Sequence, residues 1–248
     1  MKRVIKHIVN KLGYNISRVS HVSNHIGIDP LTDMDKFTHN DHPVIFDVGA
    51  NVGQSIRKFR RIFPSSTIHS FEPSPRTFET LKQQVNKLES IHLWNYALGS
   101  SSGSMNFLEN SYSDMSSFLP ISEYGWGKII KETLVEVKTI DQFCHEKNIE
   151  KIDILKSDTQ GFELEVFQGA ENTIKAQKIG LIYFEVIFSD MYKNLPSFGK
   201  IYNFLTERDF LLVNFYKFNY QNNLASWTDA LFVHNSYIQV DAKAGRGK

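Results

Sequence analysis

Val44-Ile-Phe-Asp47-Val-Gly49-Ala-Asn51-Val-Gly53 is an apolar run that passes without a break into two glycines four positions apart. Five β-branched, aromatic or short residues in a row predict a buried strand, and the glycines predict a turn whose backbone can approach a ligand without Cβ interference. The next stretch, Gln54–Phe63, sets Ile56, Phe59 and Phe63 on one helical face. Working outward, Thr67–Glu72, His92–Leu98, Ile152–Ser157 and Leu181–Val186 repeat the strand pattern. Arg76–Leu88 repeats the helical one, with Phe78, Leu81, Val85 and Leu88 in phase. Strands alternating with helices in this way predict a parallel sheet covered on both faces, with ligand-binding loops at the carboxyl ends of its strands.

The flanks read differently. Residues 1–14 have Val4, Ile5, Ile8, Val9 and Leu12 at helical spacing and end at Gly13, whereas 15–42 are rich in His, Asn, Asp and Ser with no convincing period. We read 1–42 as an N-terminal helical extension, 43–240 as one domain and 241–248 as a loose tail. After the helical Ser197–Arg208, the runs Phe210–Phe218 and Trp227–His234 flank a Gln-Asn-Asn turn region and predict an antiparallel pair at the sheet edge. Residues 99–133 carry many Ser, Gly and aromatic residues but few strong periods, and read as a loop and excursion over the site.

Composition narrows the function classes. A chain of 248 residues with 41% hydrophobic and 22% charged residues has the material for one sizeable core, which excludes wholesale disorder. A net charge of +1 excludes nucleic-acid binding through overall charge and leaves only a local patch. Cys144 is the sole cysteine, so no internal disulfide or cysteine zinc cluster forms. The longest apolar stretch, Ile179–Phe188, is interrupted by Glu185 and falls far short of the ~20 residues of a membrane-spanning helix. The basic N-terminal stretch lacks the unbroken apolar centre of a secretory signal. A cytoplasmic location is expected, with weak peripheral membrane contact through that stretch the most a membrane role could amount to.

Three segments carry chemistry. The glycine spacing is G-x-x-x-G, and Asp47 sits where strand gives way to loop. A carboxylate there repels a pyrophosphate and attracts a sulfonium or ammonium group, which favours S-adenosylmethionine (SAM) over NAD. Glu72 ends the second strand, 19 positions after Gly53, where a carboxylate can accept both hydroxyls of a ribose. Lys156-Ser-Asp158-Thr-Gln160-Gly161-Phe-Glu163 follows the fourth strand, so Asp158 shares a rim with Asp47 and Glu72. At that rim Asp158 is the candidate to accept a proton from an alcohol nucleophile, or else to hold the methionine part of the cofactor or cap the helix, with Glu185 a second candidate base or orienting group. Glu163 stands in a first helical turn, where complementing the helix dipole competes with a direct role. Asp158 and Glu185 without a clear third ligand make no metal site.

Other features read as background. Arg57, Lys58, Arg60 and Arg61 form a basic cluster of the kind that usually marks a solvated helix face. The scattered histidines lack metal-binding spacing, and Cys144 on a helix reads as packing. The Ser113–Trp126 region, with Tyr112, Ser116, Ser117, Tyr124 and Trp126, has the composition of a sugar-contacting loop.

The succession Phe46-Asp-Val-Gly-Ala-Asn-Val-Gly53, Phe71-Glu-Pro73, Asn95-Tyr-Ala-Leu-Gly99 and Lys156-Ser-Asp-Thr-Gln-Gly-Phe-Glu163 resembles the FkbM family of SAM-dependent methyltransferases across roughly residues 43–217. The resemblance implies a class I methyltransferase (Rossmann-like) α/β fold, a seven-stranded sheet with an antiparallel C-terminal hairpin. It implies that Asp47, Gly49, Ala50, Asn51 and Gly53 surround the methionine end of the cofactor, that Glu72 holds its ribose, and that Asn95 and Ala97 approach its adenine. Asp158 and Glu163 match the acidic pair of the family's Asp-x-Glu-Gly-x-Glu segment, and Gln160 replaces its middle carboxylate. The function so implied is O-methylation of a hydroxyl on a sugar, glycan precursor or secondary metabolite, with a small-molecule or glycan acceptor and no nucleic-acid partner. An RNA or protein methyltransferase using the basic helix, and a non-enzymatic nucleotide-binding module, stay open at this point.

Overall fold

The structure, a computed structural model, describes residues 26–238. The expected helix at 1–14 and the tail at 241–248 lie outside the described residues. In chain order the elements are α1 (Pro30–Phe37), β1 (Val44–Val48), α2 (Gln54–Ile62), β2 (Thr67–Phe71), α3 (Pro75–Val85), β3 (Ile91–Trp94), β4 (Ala97–Leu98), β5 (Gly103–Asn110) and β6 (Ile129–Lys138). They continue with α4 (Ile140–Lys147), β7 (Ile152–Ser157), α5 (Glu163–Gln168), α6 (Glu171–Lys175), β8 (Ile179–Ile187), α7 (Phe198–Thr206), β9 (Phe210–Gln221) and β10 (Leu224–His234).

Seven strands form one sheet in the order β3-β2-β1-β7-β8-β10-β9. The first five are parallel to their neighbours, and β10 runs antiparallel to both β8 and β9. Because side chains alternate across a strand, each central strand feeds two cores. Phe46, Leu155, Ile182 and Phe232 pack with Phe143 and Phe167 on one face, while Ile45, Ile154, Leu181 and Leu231 pack with Ile56, Phe59 and Leu81 on the other. This two-sided burial is why β1, β7 and β8 read as continuous apolar runs. The β9–β10 turn places Asn222 and Asn223 at φ 49° and 64°, the paired left-handed geometry of a tight hairpin.

The structure corrects three expectations. Residues 15–42 are not without pattern throughout: Pro30–Phe37 is helical, capped by Asp29, whose Oδ2 accepts the Thr32 N–H at 2.8 Å, with Pro30 in the first turn. The Asp-Pro pair was the available signal. The expected strand His92–Leu98 is two pieces, since the Asn95 side-chain amide donates to the carbonyls of Glu72 (2.8 Å) and Pro73 (3.1 Å) and the chain leaves the main sheet there. Residues 99–133 contain no simple loop but most of a second sheet, ordered β4-β6-β5. Its strands are largely solvated, burying Phe107, Val135 and Val137 among exposed polar neighbours, so its apolar alternation is too dilute to read. The β5–β6 connection packs Met115 against Ile187, Met191 and Tyr192, partly covering the carboxyl ends of the central strands. No helix among the described residues is long and apolar enough to cross a membrane.

Candidate active site

The carboxyl ends of β1, β2 and β7 converge on one crevice. After Val48 the chain turns through Gly49 at φ 74°, and the Gly49 and Ala50 N–H groups both donate to the Phe71 carbonyl at 3.0 Å. A Cβ on Gly49 would stand 1.9 Å from the Asp158 carbonyl oxygen, so the β1 and β7 loops can touch only through a glycine here. Gly53, at φ 87°, plays the companion part at the start of α2, where a Cβ would press to 2.9 Å on the Leu81 side chain.

Asn51, at φ 47°, donates its backbone N–H to Glu72 Oε2 at 3.0 Å, and the Ser74 N–H donates to Glu72 Oε1 at 2.9 Å. These two bonds orient the carboxylate at the end of β2. Burial nevertheless pushes the Glu72 carboxyl up to about 7, the Ser74 and Asn51 bonds offsetting only part of that cost. Gly49, Asn51, Glu72, Ala97, Asp158 and Phe162 are among the residues lining one crevice. The Asn51 Oδ1 is buried without a hydrogen bond among the described residues.

Asp47 lies elsewhere than its position in the sequence suggests. It is fully buried and off the crevice wall: Lys156 Nζ stands 3.0 Å from its Oδ1, and Ser55 Oγ donates to its Oδ2 at 2.6 Å. Lys156 also donates to the Gly49 carbonyl at 2.9 Å. Burial would lower the Lys156 ammonium, but Asp47 and Asp158 outweigh it and its pKa is raised. The charge of Asp47 is thus answered inside the protein, and the pair braces the glycine turn rather than offering a free anion to a ligand. Ala50 is likewise core, and Asn95 spends its amide on the backbone at residues 72 and 73.

Across the crevice, the left-handed Gln160 (φ 56°) is the organising residue. Its Nε2 donates to Asp158 Oδ1 at 2.9 Å and to Glu185 Oε2 at 2.7 Å, while its Oε1 accepts from the Tyr192 hydroxyl at 2.8 Å and its carbonyl from Ser117 Oγ at 2.7 Å. Burial, reinforced by Asp158 and Glu163, holds the Glu185 carboxyl well above its ordinary range. Glu163 accepts from the Thr159 N–H (2.8 Å), the Thr159 hydroxyl (2.9 Å) and the Gly161 N–H (3.0 Å), so it clasps the loop rather than facing a ligand; burial pushes it up to about 7.

Asp158 also lines a second, larger crevice of about 490 Å³, together with Lys156, Tyr183, Glu185 and Asp229. There the Tyr183 hydroxyl donates to Asp229 Oδ2 at 2.8 Å. Neither Asp229 nor Tyr183 stands out in sequence: β10 brings Asp229 opposite Glu185 by antiparallel pairing, a contact across 44 positions with no local signal. Of the expected sugar-contacting loop, Ser113 and Ser116 line the first crevice and Tyr112 and Tyr124 are exposed, while Trp126 packs on Trp227. No group of three or more His, Cys, Asp or Glu among the described residues is placed to hold a metal ion.

A doubly covered parallel sheet with a reversed last strand, a glycine turn after β1 and an acid closing β2 define the class I methyltransferase fold. Against solved structures, the chain is similar to the METTL16 methyltransferase domain, with a TM-score of 0.50 at 9% identity over 92% of this chain and 75% of that one. The model of the methyltransferase FkbM domain matches residues 47–212, and the chain belongs to that family. Among curated relatives it is 29% identical over 195 residues to the 2-O-methyltransferase NoeI of Sinorhizobium fredii, covering 69% of this chain and 79% of that one. It is 28% identical over 146 residues to the hexuronic acid methyltransferase AglP of Haloferax volcanii, covering 58% and 55%.

Proposed function

We propose that this chain is a SAM-dependent O-methyltransferase whose acceptor is a sugar hydroxyl. The observation that carries the reading is that Asp158 forms a shared wall of two adjoining crevices, one with the features of a nucleoside site and one large enough for a sugar. SAM would supply an electrophilic methyl group, to which an alcohol oxygen bonds in line as the carbon–sulfur bond breaks and the sulfur leaves as a neutral thioether. Glu72, held by the Asn51 and Ser74 N–H groups, keeps lone pairs for a ribose diol. Gly49 permits close backbone approach, and the unpartnered Asn51 Oδ1 is an acceptor for a donor of the bound cofactor. Ala97 and Phe162 supply apolar walls.

On the acceptor side, Asp158 and Glu185 are held side by side by one amide. Asp158, the more exposed of the two at 41% of its side chain, accepts the proton of the acceptor hydroxyl as that oxygen attacks. Glu185 and Asp229 orient neighbouring hydroxyls. Alignment supplies most of the rate in such a displacement, so the fixed amide bridge matters as much as basicity. The names of the relatives above, a 2-O-methyltransferase and a hexuronic acid methyltransferase, support a sugar as acceptor. The test is titration with S-adenosylhomocysteine (SAH) by calorimetry, followed by methyl transfer from labelled SAM to a sugar panel. Micromolar SAH binding with transfer to a sugar oxygen is expected; SAH binding that is absent, or transfer only to RNA or protein, overturns the reading.

A further inference from the structure

The four basic residues of α2 do not act as one face. Arg57 donates to the Gln84 carbonyl at 3.2 Å and to the Gln84 side chain. Arg60 donates to the carbonyls of Pro64 (2.6 Å), Ser66 (2.9 Å) and Glu89 (2.7 Å). Both guanidinium groups are thus spent on their own chain. Lys58 and Arg61, one helical turn apart, point the other way: both are exposed, both line the larger crevice, and neither has a carboxylate partner among the described residues. Lys217 on β9 joins them there, exposed and equally unpaired.

The charges of this crevice are segregated. Asp158 follows β7 and Glu185 and Asp229 face each other on β8 and β10, whereas Lys58, Arg61 and Lys217 are exposed on the helix and the edge strand. Asp29 also lines the crevice and Asp229 feels the charge of Lys58, yet no carboxylate among the described residues comes within ion-pairing distance of Lys58, Arg61 or Lys217, so their donors are left for a ligand, and a neutral sugar would not match them. A ligand with hydroxyls at one end and an anion at the other answers both halves. Building on the O-methyltransferase reading, we infer that the acceptor is an acidic sugar, its carboxylate or phosphate held by Lys58, Arg61 and Lys217 while a hydroxyl faces Asp158. Arginine suits this part because its planar fork matches both anions. A nucleic-acid backbone fits less well, since it calls for cations spread along a surface, and two of the four on α2 are tied to carbonyls of their own chain.

The experiment follows backbone and side-chain ¹⁵N signals of the full chain, with and without SAH, during titration with methyl glucuronide, glucose 6-phosphate and the neutral methyl glucoside. Both acidic probes should shift the signals of Lys58, Arg61 and Lys217 and bind at least about tenfold more tightly than methyl glucoside, an advantage that raised salt erodes. The preferred probe tells carboxylate from phosphate. In K58Q/R61Q/K217Q the acidic probes should lose about tenfold in affinity while SAH affinity and the fold hold. Equal binding of methyl glucoside, or undiminished acidic binding in that variant, overturns the inference and leaves the methyltransferase reading standing. So does a single-stranded RNA that binds the same three residues more tightly than either acidic probe. Absence of SAH binding instead sinks the parent reading, and the anion subsite is still judged by the titrations without SAH.

Discussion

Replacing Gln160 with Glu tests whether one amide holds the two carboxylates of the site together. In the native protein the Nε2 bonds Asp158 and Glu185 at 2.9 and 2.7 Å, and the Tyr192 hydroxyl fixes which end of the amide faces them. Gln160→Glu keeps the acceptor for Tyr192 and the shape, and exchanges only the donor for an oxygen. Two hydrogen bonds to charged groups are lost when the new group is ionised, at about 1.5–3 kcal/mol each, so the cost approaches about 3–6 kcal/mol. A proton on the cluster restores part of it. The introduced carboxyl, crowded by Asp158 and a Glu185 already held high, takes a folded-state pKa above its unfolded value. Its contribution is therefore fully present below the unfolded value and lost as pH rises through the folded one. Urea unfolding of both proteins at pH 5 and pH 8 reads this out. The variant should lie close to the native protein at the lower pH and fall behind by several kcal/mol at the higher, a large share of the ~5–15 kcal/mol typical of a domain. A deficit that is the same at both pH values, or no deficit, refutes the amide-bridge argument.

Asp158→Asn keeps shape and removes the proposed proton acceptor; kcat should drop by ~10²–10⁴ with SAH affinity little changed, measured by labelled-methyl transfer and calorimetry. Glu72 has its carboxyl raised to about 7 and, in the proposed ribose site, must be ionised to accept two hydroxyls, so SAH affinity should weaken as pH falls from 8 to 6, and Glu72→Gln should be weak across that range and lose the pH dependence. Gly49→Ala forces a side chain into φ 74° and against the Asp158 carbonyl, and should cost at least about 1–3 kcal/mol in thermal unfolding together with measurable SAH affinity. Lys156→Met leaves the buried Asp47 without its cation, which predicts a loss of about 3–5 kcal/mol of stability in urea unfolding.

The alternation of Val44–Val48 with Gln54–Phe63, the glycine bend at 49–53 and the acids at 72 and 158 were legible in the chain because each depends on residues a few positions apart. Continuous apolar runs declare parallel strands buried on both faces, and a strand-to-helix turn declares where ligand loops fall. The antiparallel C-terminal pair is visible for the same reason, its two asparagines marking the turn. Tertiary structure alone decided what those residues face. Lys156 reaches back to Asp47 and turns an apparent ligand anion into a brace, Gln160 joins Asp158 to Glu185, and Arg57 and Arg60 bend to their own chain while Lys58 and Arg61 stay free for the crevice. The second sheet was hidden too, since its strands bury few side chains. A residue's type and its near neighbours set the local backbone and the face it occupies, but its charge state and its partners are set by groups folding brings from far along the chain, and no local period encodes them.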